Sequence, residues 1–326
     1  MKKIFKAKES LIVLMIILMI VIFSVTSPRF LTYDNIKGFL KSNVMFFVLS
    51  LGMTLVIVSG GVDVSIPAMT AASAMIFGRL VTRAGIDPAV SFFISLASGI
   101  ILGLINGLLI AKTKISPIVT TLGMQSVISG MLLVVTDGKD QWITAGDFPE
   151  KFKTFGSVTF IGIPIQIWFV LAVVFITWFI MKFTMLGRSI YAVGGNIVSA
   201  ERIGLNGDRV KIFVYAYMGA MCAIGGFLNT SALLVVDPNA YNGYDMKAIA
   251  AVVVGGGSMV GGVGSVWGTV IGVLFMVILG NGLGLLRVDS YWRDIVVGVV
   301  LVVAVSIDAI RRTKAEKNSH HVDVLE

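Results

Sequence analysis

A chain of 326 residues that is 56% hydrophobic and only 13% charged, with a mean hydropathy of +0.94, is not a water-soluble domain, since those carry roughly 25% charge. Its net charge of +8 does not mark a nucleic-acid partner, because the Lys and Arg residues sit in short loops and tails without aromatic interleaving or a basic helix face. One cysteine, Cys222 in an apolar run, excludes a disulfide framework and a metal cluster, and the two histidines, His320 and His321, fall in a polar tail, leaving no imidazole for chemistry inside a membrane.

The apolar stretches are continuous and punctuated by Gly, without the period of two that the ~10-residue strands of a membrane barrel require. The fold class is therefore all-α polytopic membrane protein. A bilayer core of roughly 30 Å takes about 20 apolar residues per helix. Spans are expected near residues 10–26, 43–60, 62–80, 88–111, 116–136, 163–183, 210–236, 245–262, 265–286 and 293–310, about ten in all. They form a single membrane domain over residues 1–312, followed by a polar tail, 313–326.

At the N-terminus, Lys2, Lys3, Lys6 and Lys8 precede the apolar run Leu11 to Val25, which superficially matches a signal peptide. Ser27-Pro28-Arg29-Phe30 follows where a small-x-small cleavage site would stand, so an uncleaved first span with a cytoplasmic start is expected. An even number of spans returns the C-terminus to the same side. That side collects 15 Lys and Arg residues against 11 on the other, in the direction of the positive-inside rule, with Arg311, Arg312, Lys314 and Lys317 dense in the tail.

Two places resist reading as simple helices. At Gly60-Gly61-Val62-Asp63-Val64-Ser65 a span meets two glycines, a carboxylate and a hydroxyl, and a helix restarts there with Asp63 or Ser65 as cap and Pro67 in its first turn. Farther on, the 39 residues Ala248 to Leu286 are all uncharged and as one helix would run about 58 Å at ~1.5 Å per residue, nearly twice the bilayer core. That run must break, and the glycine-rich stretch 255–265, with Gly261, Gly262 and Gly264, is the expected place.

The two halves echo each other. Gly61-Val62-Asp63-Val64 resembles Gly243-Tyr244-Asp245-Met246, Asn106-Gly107-Leu108 resembles Asn281-Gly282-Leu283, and Ser116 and Ser290 each precede the following span, at offsets of 182, 175 and 174 residues. In the ten-span topology the repeat is inverted. Gly99, Gly103 and Gly107 form a small-residue stripe suited to close helix packing. Polar side chains within spans, Asn43, Ser50, Asn106, Gln125, Ser126, Asn229 and Asn281, are candidates to line a solute pathway, with helix–helix hydrogen bonding as their alternative role. The long loop Asp137 to Ile161 is expected outside. Its Trp142, Phe148, Phe152 and Phe155 would rest on the membrane surface in the first instance, or meet a delivering protein.

No phosphate-cradling Gly-x-x-x-x-Gly-Lys-[Ser/Thr] loop occurs, so any ATP energy must come from a partner. No span centre carries an ionisable group. This disfavours an ion-coupled carrier, while leaving sodium coupling through carbonyls and hydroxyls open. An intramembrane enzyme lacks the residues it would need, and no metal site or cofactor is expected. The most informative loop is 186–206, where Asn196 caps and Gly204 ends a two-turn helix, Ile197 to Ile203, with Ile197, Ala200 and Ile203 on one side and Ser199, Glu201 and Arg202 elsewhere. Alone, such an amphipathic piece is more often interfacial than a docking element.

This segment resembles the cytoplasmic coupling region of the ribose-type permeases of bacterial ABC sugar importers. Gly187-Arg188, Tyr191-Ala192, Gly194-Gly195-Asn196 and Ser199-Ala200-Glu201-Arg202-Ile203-Gly204 follow that family's pattern in order. Gly52 to Ile57 with Gly60 to Ser65, Ala248 to Gly264, and Gly280 to Leu283 extend the likeness over about Phe30 to Arg312. Ile66-Pro67-Ala68 departs from it, standing where a Val-Gly-Ser-like sequence is commoner. The resemblance implies a non-catalytic permease in the bacterial inner membrane, paired with an identical or related permease, two ABC ATPase subunits and an external solute-binding protein, all in a lipid setting. Arg188 and the Gly194 to Gly204 segment would couple to the ATPase. A secondary carrier independent of ATP is the alternative, and the solute, whether ribose, xylose, another pentose or hexose, or a furanose signal such as autoinducer-2, is left open.

Overall fold

The computed structural model describes residues 2–136, 142–239 and 241–293 together with 295–296, 298–300, 302–303 and 306, with side chains from residue 12 onward. The tail 313–326 with its lysines and both histidines, and Arg311 and Arg312 before it, lie outside the described residues, as do half of the expected span 293–310 and the loop residues 137–141. The described residues are mostly helical: α1 Lys2–Thr26, α2 Tyr33–Ser42, α3 Val44–Val58, α4 Ile66–Thr82, α5 Pro88–Thr113, α6 Pro117–Val135, α7 Glu150–Ser157, α8 Ile165–Phe183, α9 Met185–Gly195, α10 Ile197–Arg202, α11 Gly207–Leu233, α12 Tyr244–Val254 and α13 Val266–Leu285. A two-residue hairpin, β1 Thr159–Phe160 against β2 Ile163–Pro164, precedes α8.

Five of these helices, α5, α6, α8, α11 and α13, are long and apolar enough to cross a membrane among the described residues, and α2 with α3, bent by 49°, makes a sixth if counted as one span. Their starts are written in the sequence. Asp87 accepts the Ala89 N–H at 2.9 Å with Pro88 as the first helical residue of α5, Asn206 accepts the Arg209 N–H at 2.9 Å before α11, and Ser265 accepts the Gly268 N–H at 2.9 Å before α13.

Every residue of α3 is buried, which suits a helix that is apolar all round. It runs through the centre, flanked by α8, α11, α12 and α13, and its Thr54 hydroxyl shares a 2.7 Å hydrogen bond with Thr269 of α13. Beside it α5 and α11 meet backbone to backbone. A Cβ on Gly99 would sit 2.4 Å from the Gly219 carbonyl oxygen, one on Gly103 2.2 Å from that of Tyr215, and one on Gly107 2.8 Å from Ile212 Cα, so the glycine stripe sets how closely these helices approach.

The contacts sort the connections onto two ends of the bundle. At one end α7 folds inward, with Phe148 and Phe152 each only 2% exposed and Phe152 against Phe77 and Phe227, ring centroids 5.1 and 6.2 Å apart in the Phe77–Phe152 and Phe152–Phe227 pairs. This corrects the expectation of a segment lying on the membrane surface. Buried aromatic area stabilises more here than a polar interface would. Lys41 Nζ and Gln166 Nε2 both donate to the Gly156 carbonyl at 2.8 and 2.9 Å, and Ile143 pairs with Val236, so this loop is fastened to the bundle. Of the loop's aromatics Trp142 and Phe160 stay exposed. The opposite end carries α9, α10 and the two helix interruptions.

Candidate functional site

The helix interruptions lie between α3 and α4, residues 59–65, and between α12 and α13, residues 255–265. The expected span 245–262 therefore ends as helix at Val254, because Gly256, Gly261, Gly262 and Gly264 all take positive φ. The two interruptions touch: the Gly262 N–H donates to the Val58 carbonyl at the end of α3, at 2.8 Å. The end of α9 is pressed against the same spot. A Cβ on Gly194 would lie 1.8 Å from the Val58 oxygen and 2.8 Å from Gly262 N, one on Gly261 2.8 Å from Gly60 Cα and 2.5 Å from the Gly194 oxygen, and one on Gly262 2.7 Å from Gly195 Cα. Tyr191 of α9 donates its hydroxyl proton to the Gly264 carbonyl at 2.8 Å. One short helix thus meets both interrupted segments through bare backbone.

That helix continues into α10. The Asn196 side chain accepts the Ser199 N–H at 2.9 Å, and Gly204, with φ of +87°, ends the turn with its N–H on the Glu201 carbonyl at 3.0 Å. Ala200 is buried and Ile197 half-buried, whereas Ser199, Glu201 and Arg202 face solvent, as does Arg188 back in α9. Ile203 does not join the inward side as the spacing suggested. It is 76% exposed, since the helix stops at Arg202 and Ile203 is already the cap, and with Val198 it forms an apolar edge on an otherwise polar element.

Between this end and the bundle centre lies a buried polar node. Asp63 Oδ1 accepts both the Ser65 N–H at 2.9 Å and the Ser65 hydroxyl at 2.6 Å, and Ser65 Oγ in turn accepts from Asn106 Nδ2 at 2.8 Å. The Val64 N–H donates to Thr121 Oγ1 of α6 at 3.1 Å. All three side chains of the node are fully buried, and Asp63 Oδ2 and Asn106 Oδ1 accept nothing from the protein. The node ties the start of α4 to α5 and α6, which makes the turn at Asp63 a fixed feature rather than a slack loop.

At the α7 end a cavity of about 730 Å³ opens between α2, α3, α12 and α13. Its lining includes the exposed Asp34, Ser42 and Ser290, the half-buried Asn35, Asn43, Tyr244, Lys247, Asn281 and Arg293, and the buried Phe46. Asn35 and Asn281 exchange two side-chain hydrogen bonds of 3.0 Å, and Asn43 donates to the Phe39 carbonyl at 2.8 Å.

The seven candidate pathway residues therefore divide. Asn43 and Asn281 reach the cavity and Asn106 the buried node. Ser50 is fully buried in α3 with its hydroxyl unpaired, and Asn229 is buried in α11. Gln125 and Ser126 sit on α6, which buries only Thr121 and Ile128 against the bundle, and Ser126 points away from it. Sequence reading missed Asn35, Phe46 and Tyr244 in the cavity, and Tyr191 and Thr121 at the breaks. Two of them carried a signal: Tyr244 by its place beside Asp245 in the internal echo, and Tyr191 by its place in the family-like motif.

A helical membrane bundle whose central segments are interrupted, with an open cavity on one end and an exposed short helix on the other, has the architecture of a solute-conducting permease. The profile of the family described as "branched-chain amino acid transport system / permease component" matches residues 35–305, and the chain belongs to that family. It is 36% identical to the ribose import permease protein RbsC of Haemophilus influenzae, over 92% of each chain, and 40% identical to the protein of that name from Bacillus subtilis, over 89% of each. The autoinducer 2 import system permease protein LsrC of Photorhabdus laumondii is 32% identical over 90% of this chain and 87% of its own. No solved structure matches the chain.

Proposed function

We propose that this permease is the membrane subunit of an ATP-driven importer for a sugar or sugar-like solute, moved by a separate ATPase that grips α10. The observation carrying the reading is mechanical: α10 is exposed, and α9 connects it without slack to both interrupted segments at Gly194 and Gly195. Val198 and Ile203 would fill a groove on the ATPase, with Glu201 and Arg202 at its rim, and Arg188 beside it. A push on α10 would shift the contacts of Gly194 with Val58 and Gly262, and so tilt α3 and α12 against their neighbours. The names of the relatives, ribose and autoinducer 2 import permeases, favour a sugar-like solute and an import system over an ATP-independent carrier.

In the working assembly a second permease, identical or related, two ATPase subunits and an external solute-binding protein complete the machine within the lipid bilayer. Both termini face the cytoplasm, residues 313–326 form a cytosolic tail, and about ten spans make one domain with an inverted internal repeat. The similar places of Asn106-Gly107 and Asn281-Gly282, each late in a long helix with the Asn in a polar pair and the Gly against another helix, support the repeat.

Purification from the native host should bring down an ATPase and a solute-binding protein, and uptake should stop with vanadate. Glu201→Gly or Ile203→Gly should leave membrane insertion intact while ATP hydrolysis continues without uptake. Normal uptake in both variants, or labelling of single engineered thiols at 187–206 by an impermeant reagent in intact cells, refutes the proposal.

A further inference from the structure

Besides the open cavity between α2, α3, α12 and α13, the α7 end carries one of a different character, about 370 Å³ in volume, among α5, α7, α8 and α11. Six phenylalanines line it: Phe92 and Phe93 of α5, Phe152 and Phe155 of α7, Phe169 of α8 and Phe227 of α11. Phe152 and Phe227 are buried, whereas Ala89, Phe93 and Phe169 are exposed, so the cavity reaches the surface along the outer faces of α5 and α8. Both are among the helices long and apolar enough to cross a membrane. Phe92 and Phe169 are each the fifth residue of their helix and Phe227 is the seventh from the end of α11, which sets the rings about 6–9 Å inside the helix ends at ~1.5 Å per residue. With the helix ends at headgroup level, the cavity mouth faces acyl chains. Water would find no partners on this lining. Asp87 and Lys151 are the two polar side chains of the lining; both are exposed and they pair with each other, Asp87 as the N-cap of α5 and Lys151 in the first turn of α7.

We propose that this cavity seats one acyl chain of a bilayer phospholipid with a zwitterionic headgroup, its phosphate on Lys151 and its ammonium on Asp87. Moving a chain from lipid into an apolar pocket gains no hydrophobic free energy, because lipid tails are as apolar as the lining. The chain gains close dispersion contacts with rings that would otherwise border a void, and it fixes where the headgroup sits. Selection falls to the charged pair. Asp87 and Lys151 are neutral together, and a phosphate and an ammonium replace that pair charge for charge. An anionic headgroup would satisfy Lys151 and leave Asp87 beside a like charge. The other two charges of α7 do not alter this balance, since Lys153 pairs with Glu150 at 2.8 Å. Held by its chain beneath and its headgroup above, the lipid braces α7 against α5 and α8. The inference goes beyond the importer reading and needs only that the protein lies in a bilayer.

The full-length permease is reconstituted in nanodiscs of equal parts phosphatidylethanolamine and phosphatidylglycerol, with a trace of either lipid carrying a diazirine on one acyl chain, and the photolabelled residues are mapped by mass spectrometry. Adducts should concentrate on residues 88–93, 152–155 and 169, and phosphatidylethanolamine should label them about threefold more than phosphatidylglycerol, the size of one exposed ion pair. Ala89→Phe fills the mouth from an exposed position and should remove these adducts without changing the melting temperature. Asp87→Asn leaves Lys151 as the one charge of the lining and should reverse the preference toward phosphatidylglycerol. Adducts no denser at the cavity than along α6, where Gly123 and Gly130 meet nothing within 4 Å, mean ordinary boundary lipid and overturn the proposal. So does labelling that Ala89→Phe leaves intact, or a headgroup preference that Asp87→Asn does not move. If the cavity takes no lipid adduct and Phe93→Cys forms a disulfide between two permeases, a second copy covers it and the proposal falls.

Discussion

Gly194→Ala is the sharpest perturbation available, because it adds a single methyl group at the one place where α9 meets both interrupted segments. The new Cβ would lie 1.8 Å from the Val58 oxygen and 2.8 Å from Gly262 N, and those two atoms are partners in a 2.8 Å hydrogen bond. Both are backbone, so no side chain can rotate away. A carbon–oxygen contact near 3.3 Å is the closest that is ordinarily comfortable, so α9 must retreat by on the order of 1.5 Å or the hydrogen bond must open. Overpacking of this kind costs about 1–3 kcal/mol, and stranding a buried backbone pair costs about 1–3 kcal/mol more.

The bundle proper, centred on α3, α5 and α11, does not depend on this contact, so the variant should still insert and bind its ATPase. Its uptake should fall at least tenfold, the rate equivalent of ~1.4 kcal/mol, while ATP hydrolysis persists. Reconstituted vesicles permit both rates to be read on one sample, and co-purification reports assembly. Gly195→Ala is the matched control, since its Cβ meets nothing within 4 Å. Uptake by Gly194→Ala at the wild-type rate, or equal damage from Gly195→Ala, would refute the coupling argument.

Three further outcomes follow from the geometry. Gly103→Ala forces a Cβ to 2.2 Å from the Tyr215 carbonyl and should lower the melting temperature in detergent and the yield of folded protein, whereas Gly123→Ala on α6, with open space around it, should do neither. Ser65→Ala removes the hydroxyl that serves both Asp63 and Asn106, and should destabilise by about 2–4 kcal/mol on the scale of two lost buried hydrogen bonds, one of them to a carboxylate; a melt within a degree of wild type would contradict the node's structural role. At the α7 end the Lys151 side chain, followed by the Ala89 N–H, holds the exposed Asp87 carboxyl below the usual carboxylate range. A depressed value stabilises above the unfolded carboxylate's range and is lost as pH falls through the folded one. Hydrogen exchange in residues 83–90 should therefore accelerate only in acid below that range, and Asp87→Asn should remove the dependence.

Much of this architecture is legible in one dimension because lipid is a simple solvent. Long uncharged runs must be helical, since hydrocarbon offers no partner for backbone N–H and C=O groups. Local capping is equally readable: Asn196 and Gly204 bound α10 through bonds that reach only three residues along the chain. Clustered glycines beside Asp63 and at 255–265 stand where helices stop, because glycine alone pays no steric cost for positive φ. The motif order from Gly52 to Leu283 carried the family resemblance.

What a helix faces could not be read in the same way. In lipid a Leu turned outward and a Leu turned into protein are equally apolar, so α3, buried on every side, and α6, buried at Thr121 and Ile128 alone, look alike as sequences. The same ambiguity hid the outward turn of Ser126 and the exposure of Ile203, and it concealed that the aromatic residues of α7 pack on Phe77 and Phe227. Meetings between distant segments were beyond reach altogether. Asn35 with Asn281, Tyr191 with Gly264, and Gly194 between Val58 and Gly262 join residues 246, 73, 136 and 68 positions apart. Only the packing of the whole chain decides such contacts, because each depends on the backbone path of several helices at once.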